Sequence, residues 1–391
     1  FSCASRASGG IACWGDNGSG QLGDGTSSNA TTPFAAVGTA DATEVAVGYG
    51  HSCARGAAGG ISCWGSNYLG RLGDGTDDNA STPVATGGIT DATAIASGRL
   101  HSCAVVGGGS VRCWGSNELG QLGNGTGVDA WRPVPATGVT DAVALSAGHT
   151  HSCALRSGGA VSCWGSSGRG QLGSNVEVGK LSAVPVAVPG ISGATKIASG
   201  DFSNCAIVAG GAVRCWGGNT SGQLGDGTTT STANPVAPIG VSGAIAIDAG
   251  GLTACAVVTG GLVKCWGDNQ KGQAGAGSVE TVLTPVTVPG ITGAVDVETG
   301  GEHSCATLGD GSVRCWGDNS SGELGDGTTT SSSTPVTVAG LTGASSVTAS
   351  SFHTCAVVAG SGVRCWGAGA WGQLGDGRHG FAMVPLAVKG L

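Results

Sequence analysis

Residues 101–126 read HSCAVVGGGSVRCWGSNELGQLGNGT, and residues 303–328 read HSCATLGDGSVRCWGDNSSGELGDGT. In the first stretch Val105-Val106 and Val111-Arg112 flank Gly107-Gly108-Gly109-Ser110. β-Branched runs about a glycine-rich turn predict a β-hairpin. Cys103 and Cys113 stand symmetrically about Gly108, so a three-residue loop, Gly107–Gly109, sets them opposite each other. Opposed residues of an antiparallel pair have Cα atoms about 4.5–5.5 Å apart, and a disulfide accepts about 4.4–6.8 Å.

The same C-x9-C spacing recurs eight times. The pairs are Cys3/Cys13, Cys53/Cys63, Cys103/Cys113, Cys153/Cys163, Cys205/Cys215, Cys255/Cys265, Cys305/Cys315 and Cys355/Cys365, which use all 16 cysteines. Connectivity does not follow from spacing in general, but the repeat symmetry favours pairing within each hairpin. Metal ligation is the rival reading. Structural zinc sites carry C-x2-4-C spacings, and this chain has none, so neither a metal nor another cofactor is expected.

The chain has 391 residues, 78 of them Gly, and is 11% charged and 40% hydrophobic. There is no G-X-Y period, and valines and isoleucines recur in phase, so a core can be buried. Length alone suggests two or three domains; an internal period instead makes one continuous array. The net charge is −8 and no basic run stands out, which argues against a nucleic-acid partner. No apolar stretch of 18 or more residues exists, so no membrane-spanning helix is expected. No signal peptide is visible, and the chain opens in mid-repeat at Phe1-Ser2-Cys3, which reads as a processed or truncated start. Eight disulfides call for an oxidising compartment, hence secretion or a cell-surface location. The single methionine, Met383, agrees with such an exterior.

The CWG triplets begin at Cys13, Cys63, Cys113, Cys163, Cys215, Cys265, Cys315 and Cys365, a step of 50 residues with one of 52. Pro33, Pro83, Pro133, Pro185, Pro235, Pro285, Pro335 and Pro385 keep the same rhythm, and the two-residue insertion lies between Cys163 and Pro185. Each unit offers four short strands. The first resembles Thr93–Gly98, whose small residues suit a crowded axis. The second holds His-Ser-Cys-Ala, the third Val-Arg-Cys-Trp-Gly, and the fourth follows the proline, as in Pro335–Val338. Four strands at this period are the signature of a β-propeller blade. The expected organisation is all-β and a single domain, 1–391, of units near 1–44, 45–94, 95–144, 145–196, 197–246, 247–296, 297–346 and 347–391.

The succession G-x-x-H-S-C-A, G-x-V-x-C-W-G-x-N and G-Q-L-G-D-G-T resembles the RCC1 (regulator of chromosome condensation) repeat over essentially the whole chain. The resemblance implies an RCC1-like β-propeller, usually seven-bladed, here with one disulfide per blade. The paired cysteines depart from the eukaryotic nuclear members and resemble a secreted bacterial branch. Seven or eight blades are open from the sequence: there are eight CWG hairpins, but only seven first strands, ending near Gly48, Gly98, Gly148, Gly200, Gly250, Gly300 and Ser350. A strand ahead of Phe1, a tolerated short blade, or a strand lent by a neighbouring chain would each resolve the mismatch.

The eight CWG tryptophans read as core between blades. The G-Q-L-G leucines, with Ala274 as the exception, read as buried too. Asp16-Asn17, Asp268-Asn269 and Asp318-Asn319 precede G-D-G-T-like loops but lack the alternating acids and closing Glu of a calcium loop, so they read as turns. His51, His101, His151, His303 and His353 share one repeat position, which marks a structural part rather than a single active site. His149 and His151, two apart on an expected strand, are the one pair that could share a metal. No phosphate-binding loop and no Ser/His/Asp set stands apart from the repeat, so the chain reads as not an enzyme. Sequons occur at Asn17, Asn29, Asn79, Asn124, Asn219 and Asn319.

The repeats differ most in the two residues before the His position and in the loop after C-W-G-x-N. From these come the candidate binding residues Tyr49, Tyr68, Arg99, Leu100, His149, Phe202, Phe352 and Trp371, with Arg169 in the same class of loop. Trp131-Arg132 adds a further non-repeat pair in an outer loop. Aromatics and Arg on the loops of a rigid scaffold suit recognition. The expected function is a secreted or cell-surface scaffold that recognises a protein or a surface glycan through its loop face. The alternative is a structural subunit of an extracellular filament or surface layer, in which copies of the chain complete each other's terminal blade.

Overall fold

The computed structural model describes residues 1–6, 9–174, 176–359 and 362–389. Eight antiparallel sheets follow one another along the chain. Seven have four strands, in sequence order from the axis outward, as in Ala142–Ala147, His151–Arg156, Val161–Ser167 and Lys180–Ala187. The first sheet has three, Ser2–Ser5, Ile11–Gly15 and Ala30–Ala35. The propeller therefore has eight blades, not the seven usual for the resembled family, because the first blade is complete in its second, third and fourth strands.

The hairpin reading holds in register. Cys103 faces Cys113 and Ala104 faces Arg112 about the Gly107–Gly109 turn, where Gly108 takes φ +73°. All eight disulfides join the two cysteines of one hairpin, with Cα atoms 4.0–4.1 Å apart. The outer strand departs from expectation. It starts before the proline, as in Ser332–Thr337 around Pro335, and pairs across a register shift between Cys315 and Gly317. An outermost strand has a free edge and a bulge, so a missing N–H is tolerated within it.

A CWG indole donates to a backbone carbonyl of the preceding blade at every joint, and where the repeat has its His a hydrogen-bond relay extends that contact. Trp164 donates its indole N–H to the backbone carbonyl of Gln121 in the preceding blade at 2.9 Å. The Ser152 hydroxyl donates to the same carbonyl at 3.1 Å, and His101 Nε2 lies 2.8 Å from that hydroxyl. Because Ser152 spends its proton on the carbonyl, His101 is the donor there and its Nδ1 is bare. The ring closes by the same relay. Trp14 donates to the Gln373 carbonyl at 2.7 Å, Ser2 donates to it at 3.0 Å, and His353 Nε2 meets Ser2 Oγ at 2.7 Å.

Every CWG tryptophan and the G-Q-L-G residues Leu22, Leu72, Leu122, Leu172, Leu224 and Leu324 are buried. Gly123, at φ +71°, lies flat against Trp164, and a Cβ there would sit 2.8 Å from the indole. The Asp–Asn loops are turns. The Asn17 amide donates to Asp24 Oδ1, Thr26 O and Ser28 O, and its Oδ1 accepts the Leu22 N–H at 2.9 Å. Asn219 and Asn319 are tied in the same way and wholly buried, so three of the sequons are closed to modification in the folded state.

Candidate functional site

The turns between the first and second strands of the seven four-stranded blades gather at one mouth of the axial channel. Glycine before six of these turns, with Ser350 before the seventh, lets neighbouring turns approach. At Gly98 an added Cβ would lie 2.7 Å from the Gly148 carbonyl and 2.5 Å from the His101 ring. The two varied residues that follow are therefore presented side by side, blade after blade.

Over four blades they form a stacked row. The Arg99 guanidinium lies 5.0 Å from the centroid of the Tyr49 ring, and its Nη1 donates to His149 Nε2. The His149 ring is 5.8 Å from Phe202, and Arg169 covers Phe202 at 4.5 Å while donating to Thr220 Oγ1 at 3.3 Å. Cation–π contacts of this kind hold long side chains in place at about 0.5–1 kcal/mol each in exposed settings. Burial, and then the Arg99 charge, lower the His149 pKa, while Asp201 pulls the other way. His149 thus stays neutral and accepts from Arg99.

A second tier supports the row. Arg71 donates to the Tyr49 carbonyl at 2.7 Å and to the Tyr68 carbonyl at 3.0 Å, and its guanidinium lies 5.7 Å from the Tyr68 ring. Beside it Leu69 takes φ +65°, the single non-glycine residue with positive φ among the described residues. Such strain persists where the surroundings over-determine it, commonly at binding sites.

Tyr49, Arg99, His149 and Asp201 line a depression of about 570 Å³. A neighbouring one of about 860 Å³ adds Tyr68, Arg71, Leu100 and Phe352. Tyr49, Tyr68 and Phe352 are each more than 60% exposed, an unusual state for aromatic rings. The fold thus brings seven candidates to one face: Tyr49, Tyr68, Arg99, Leu100, His149, Phe202 and Phe352. Trp371 is exposed on the last blade's loop, outside both depressions. Trp131 and Arg132 lie elsewhere, on the outer strand Ala130–Pro135, packed over Gly70 and Gly75 of the preceding blade. His149 and His151 are separated in role: His151 is buried and donates from Nε2 to Asn204 Oδ1 at 2.8 Å. Arg71 was hidden in the sequence because it replaces the Gln of G-Q-L-G; that departure, G-R-L-G, was its signal.

The opposite arc differs in charge. Lys271 sits 3.9 Å from Glu302 and 3.4 Å from Asp318. Along the channel, burial first, then Asp248 and Asp296, push the Glu298 pKa up to about 9. Asp248, raised by burial, accepts the Thr299 N–H and hydroxyl at 2.8 and 2.7 Å. Among the described residues no group of three His, Cys, Asp or Glu side chains is placed to hold a metal ion. No described helix is long and apolar enough to cross a membrane.

Comparison with known proteins agrees with this architecture. Models of the regulator of chromosome condensation (RCC1) repeat match residues 8–55, 59–105, 108–155, 158–207, 261–307 and 310–357. No curated protein sequence matches the chain. Among solved structures, human WBSCR16 is 21% identical with a TM-score of 0.73, over 89% of this chain and 99% of that one. Yeast RCC1 (Prp20), solved bound to Kap60, is 21% identical with a TM-score of 0.68, over 85% and 84%. Prp20p of Saccharomyces cerevisiae, described with its binding to Gsp1p and histones, is 22% identical with a TM-score of 0.68, over 89% and 90%. With the repeat model matched across more than half of its length, the chain belongs to the RCC1-repeat family of β-propellers.

Proposed function

We propose that this chain is a non-enzymatic binding scaffold of an oxidising, extracellular compartment, and that it recognises a protein through the channel mouth. The observation that carries the reading is the row Tyr49–Arg99–His149–Phe202–Arg169, in which exposed aromatic and cationic side chains are pre-ordered by one another on a disulfide-stapled ring. Pre-ordering lowers the entropy lost on association. Protein binding also fits the solved relatives, whose descriptions name Kap60, Gsp1p and histones as partners. Secretion rests on the eight disulfides, and a bacterial origin rests on the resemblance alone. The test is affinity capture from the producing organism's culture medium with the wild type and with Tyr49→Ala, Phe202→Ala and Phe352→Ala. A partner held by the wild type and lost from the three variants is expected. Equal capture by all four proteins, or capture of a glycan in place of a protein, would overturn it.

A second reading is favoured by one feature. The three-stranded blade leaves a groove of about 290 Å³ between Ser2–Ser5 and the first strands Ala42–Val47 and Ala344–Ala349. A strand from another copy entering it would build a filament. Particles of monomer mass at high concentration would remove that reading.

A further inference from the structure

The stacked row also indicates which chemical group the partner presents, an inference that rests on the loop-face reading above. We infer that the mouth receives acidic side chains of a protein partner, with Arg99 and Arg169 as the two receptors. Three of the chain's 12 arginines find carboxylates among the described residues, Arg55 with Glu44, Arg156 with Asp141 and Arg378 with Asp376; Arg99 and Arg169 are unpaired there and stack on aromatic rings at the mouth. Among the described residues no carboxylate lies within ion-pair distance of Arg99 or Arg169, although the chain has 25 acidic residues against 17 basic ones. Asp201, on the same rim, pairs with neither.

Each of these guanidiniums rests over an aromatic ring and makes a side-chain hydrogen bond through Nη1. The in-plane N–H groups at its edge stay available, and that planar fork matches a carboxylate. Arg71 differs, since its donors go to the Tyr49 and Tyr68 carbonyls, so it positions the row rather than receiving a ligand. The net charge of −8 disfavours an acidic segment over the rest of the surface, and on the opposite arc Lys271 is already paired with Glu302 and Asp318. A glycan fits less well. One face of both Tyr49 and Phe202 already carries a guanidinium, which takes away stacking platforms a sugar would use.

The test is fluorescence anisotropy with two rhodamine-labelled peptides, Gly-Glu-Tyr-Glu-Tyr-Glu-Gly and its Gln-for-Glu counterpart, in 50 and 300 mM NaCl. The Glu peptide is expected to bind at least about tenfold more tightly, to weaken with salt, and to lose about tenfold with the double variant R99Q/R169Q. R99K is expected to keep part of the affinity. Melting curves establish that the variants fold. Equal binding of both peptides, no binding of either, an unaffected double variant, or tighter binding of trigalacturonate would each overturn the inference. If both peptides bind equally and Tyr49→Ala abolishes both, the loop-face reading stands and the acidic class falls. If Tyr49→Ala and Phe352→Ala leave peptide binding and partner capture unchanged, both fall.

Discussion

Trp14 donates its indole N–H to the carbonyl of Gln373, 359 positions away in the chain, at 2.7 Å. The same contact joins Trp366 to Glu323 at 2.8 Å within the chain's interior. The eighth blade therefore meets the first through the joint used everywhere else, although the first blade shows no axial strand among the described residues.

If that joint closes the ring, Trp14→Phe should cost about as much stability as Trp366→Phe. Each substitution removes a buried donor and leaves a partial cavity, for a loss of about 2–3 kcal/mol. Denaturant unfolding of the two variants checks this. A negligible loss for Trp14→Phe alone would mean that the ring is open.

Leu122 is wholly buried beneath the loop that Asn117 ties down, and its N–H is held by Asn117 Oδ1 at 2.9 Å. Leu122→Ala should destabilise by about 2–4 kcal/mol. Ala274 holds this place naturally, so Ala274→Leu asks whether that site has repacked around the smaller side chain. Gain from Ala274→Leu would show a residual cavity; loss would show full collapse.

Five relay histidines titrate far below their ordinary value. Burial is the main cause in each. It holds His51, His101 and His353 at about 3, and His151 and His303 at about 4. In the unfolded chain they bind protons near pH 6.5, so the unfolded state takes up protons first as pH falls. Stability is therefore full above about pH 6.5 and declines below it, by roughly 2 kcal/mol per histidine at pH 5 if the sites act independently. Melting temperatures at pH 7.5, 6 and 5 should fall steadily. Their fall should be smaller in His101→Gln than in the wild type; equal falls would remove His101 from the account.

Glu298 gives the opposite slope. Its pKa is raised to about 9 by burial, so the folded chain keeps a proton that the unfolded chain gives up above about 4.5. Stability from this residue is present at low pH and is lost as pH climbs from about 4.5 to 9. Glu298→Gln should stabilise the protein by about 4 kcal/mol at pH 7.5 and have little effect at pH 4.5. Urea midpoints at the two pH values check both halves.

Much of the fold was legible because each blade is a local object. The glycine turn at Gly108, the Cys103–Cys113 register and the buried Trp114 follow from short-range spacing, and the period multiplies one correct hairpin into eight. The site was half legible. Departure from the repeat marked Tyr49, Arg99, His149 and Phe202, whereas it marked Trp131 and Arg132 equally well, and those pack against a neighbouring blade. Variation reports freedom from the repeat but not position in space.

The sequence by itself determined the strand pattern, the blade unit and the bridging of each hairpin, because partners there lie within about ten residues and chain geometry leaves few choices. The tertiary structure decided the blade number, the closure of Trp14 onto Gln373, and the stacking of Arg99 and Arg169 on rings from other blades. Those relationships join residues roughly 30 to 360 positions apart. They exist only once the small inter-blade rotation has summed around the axis, and no local preference encodes that sum.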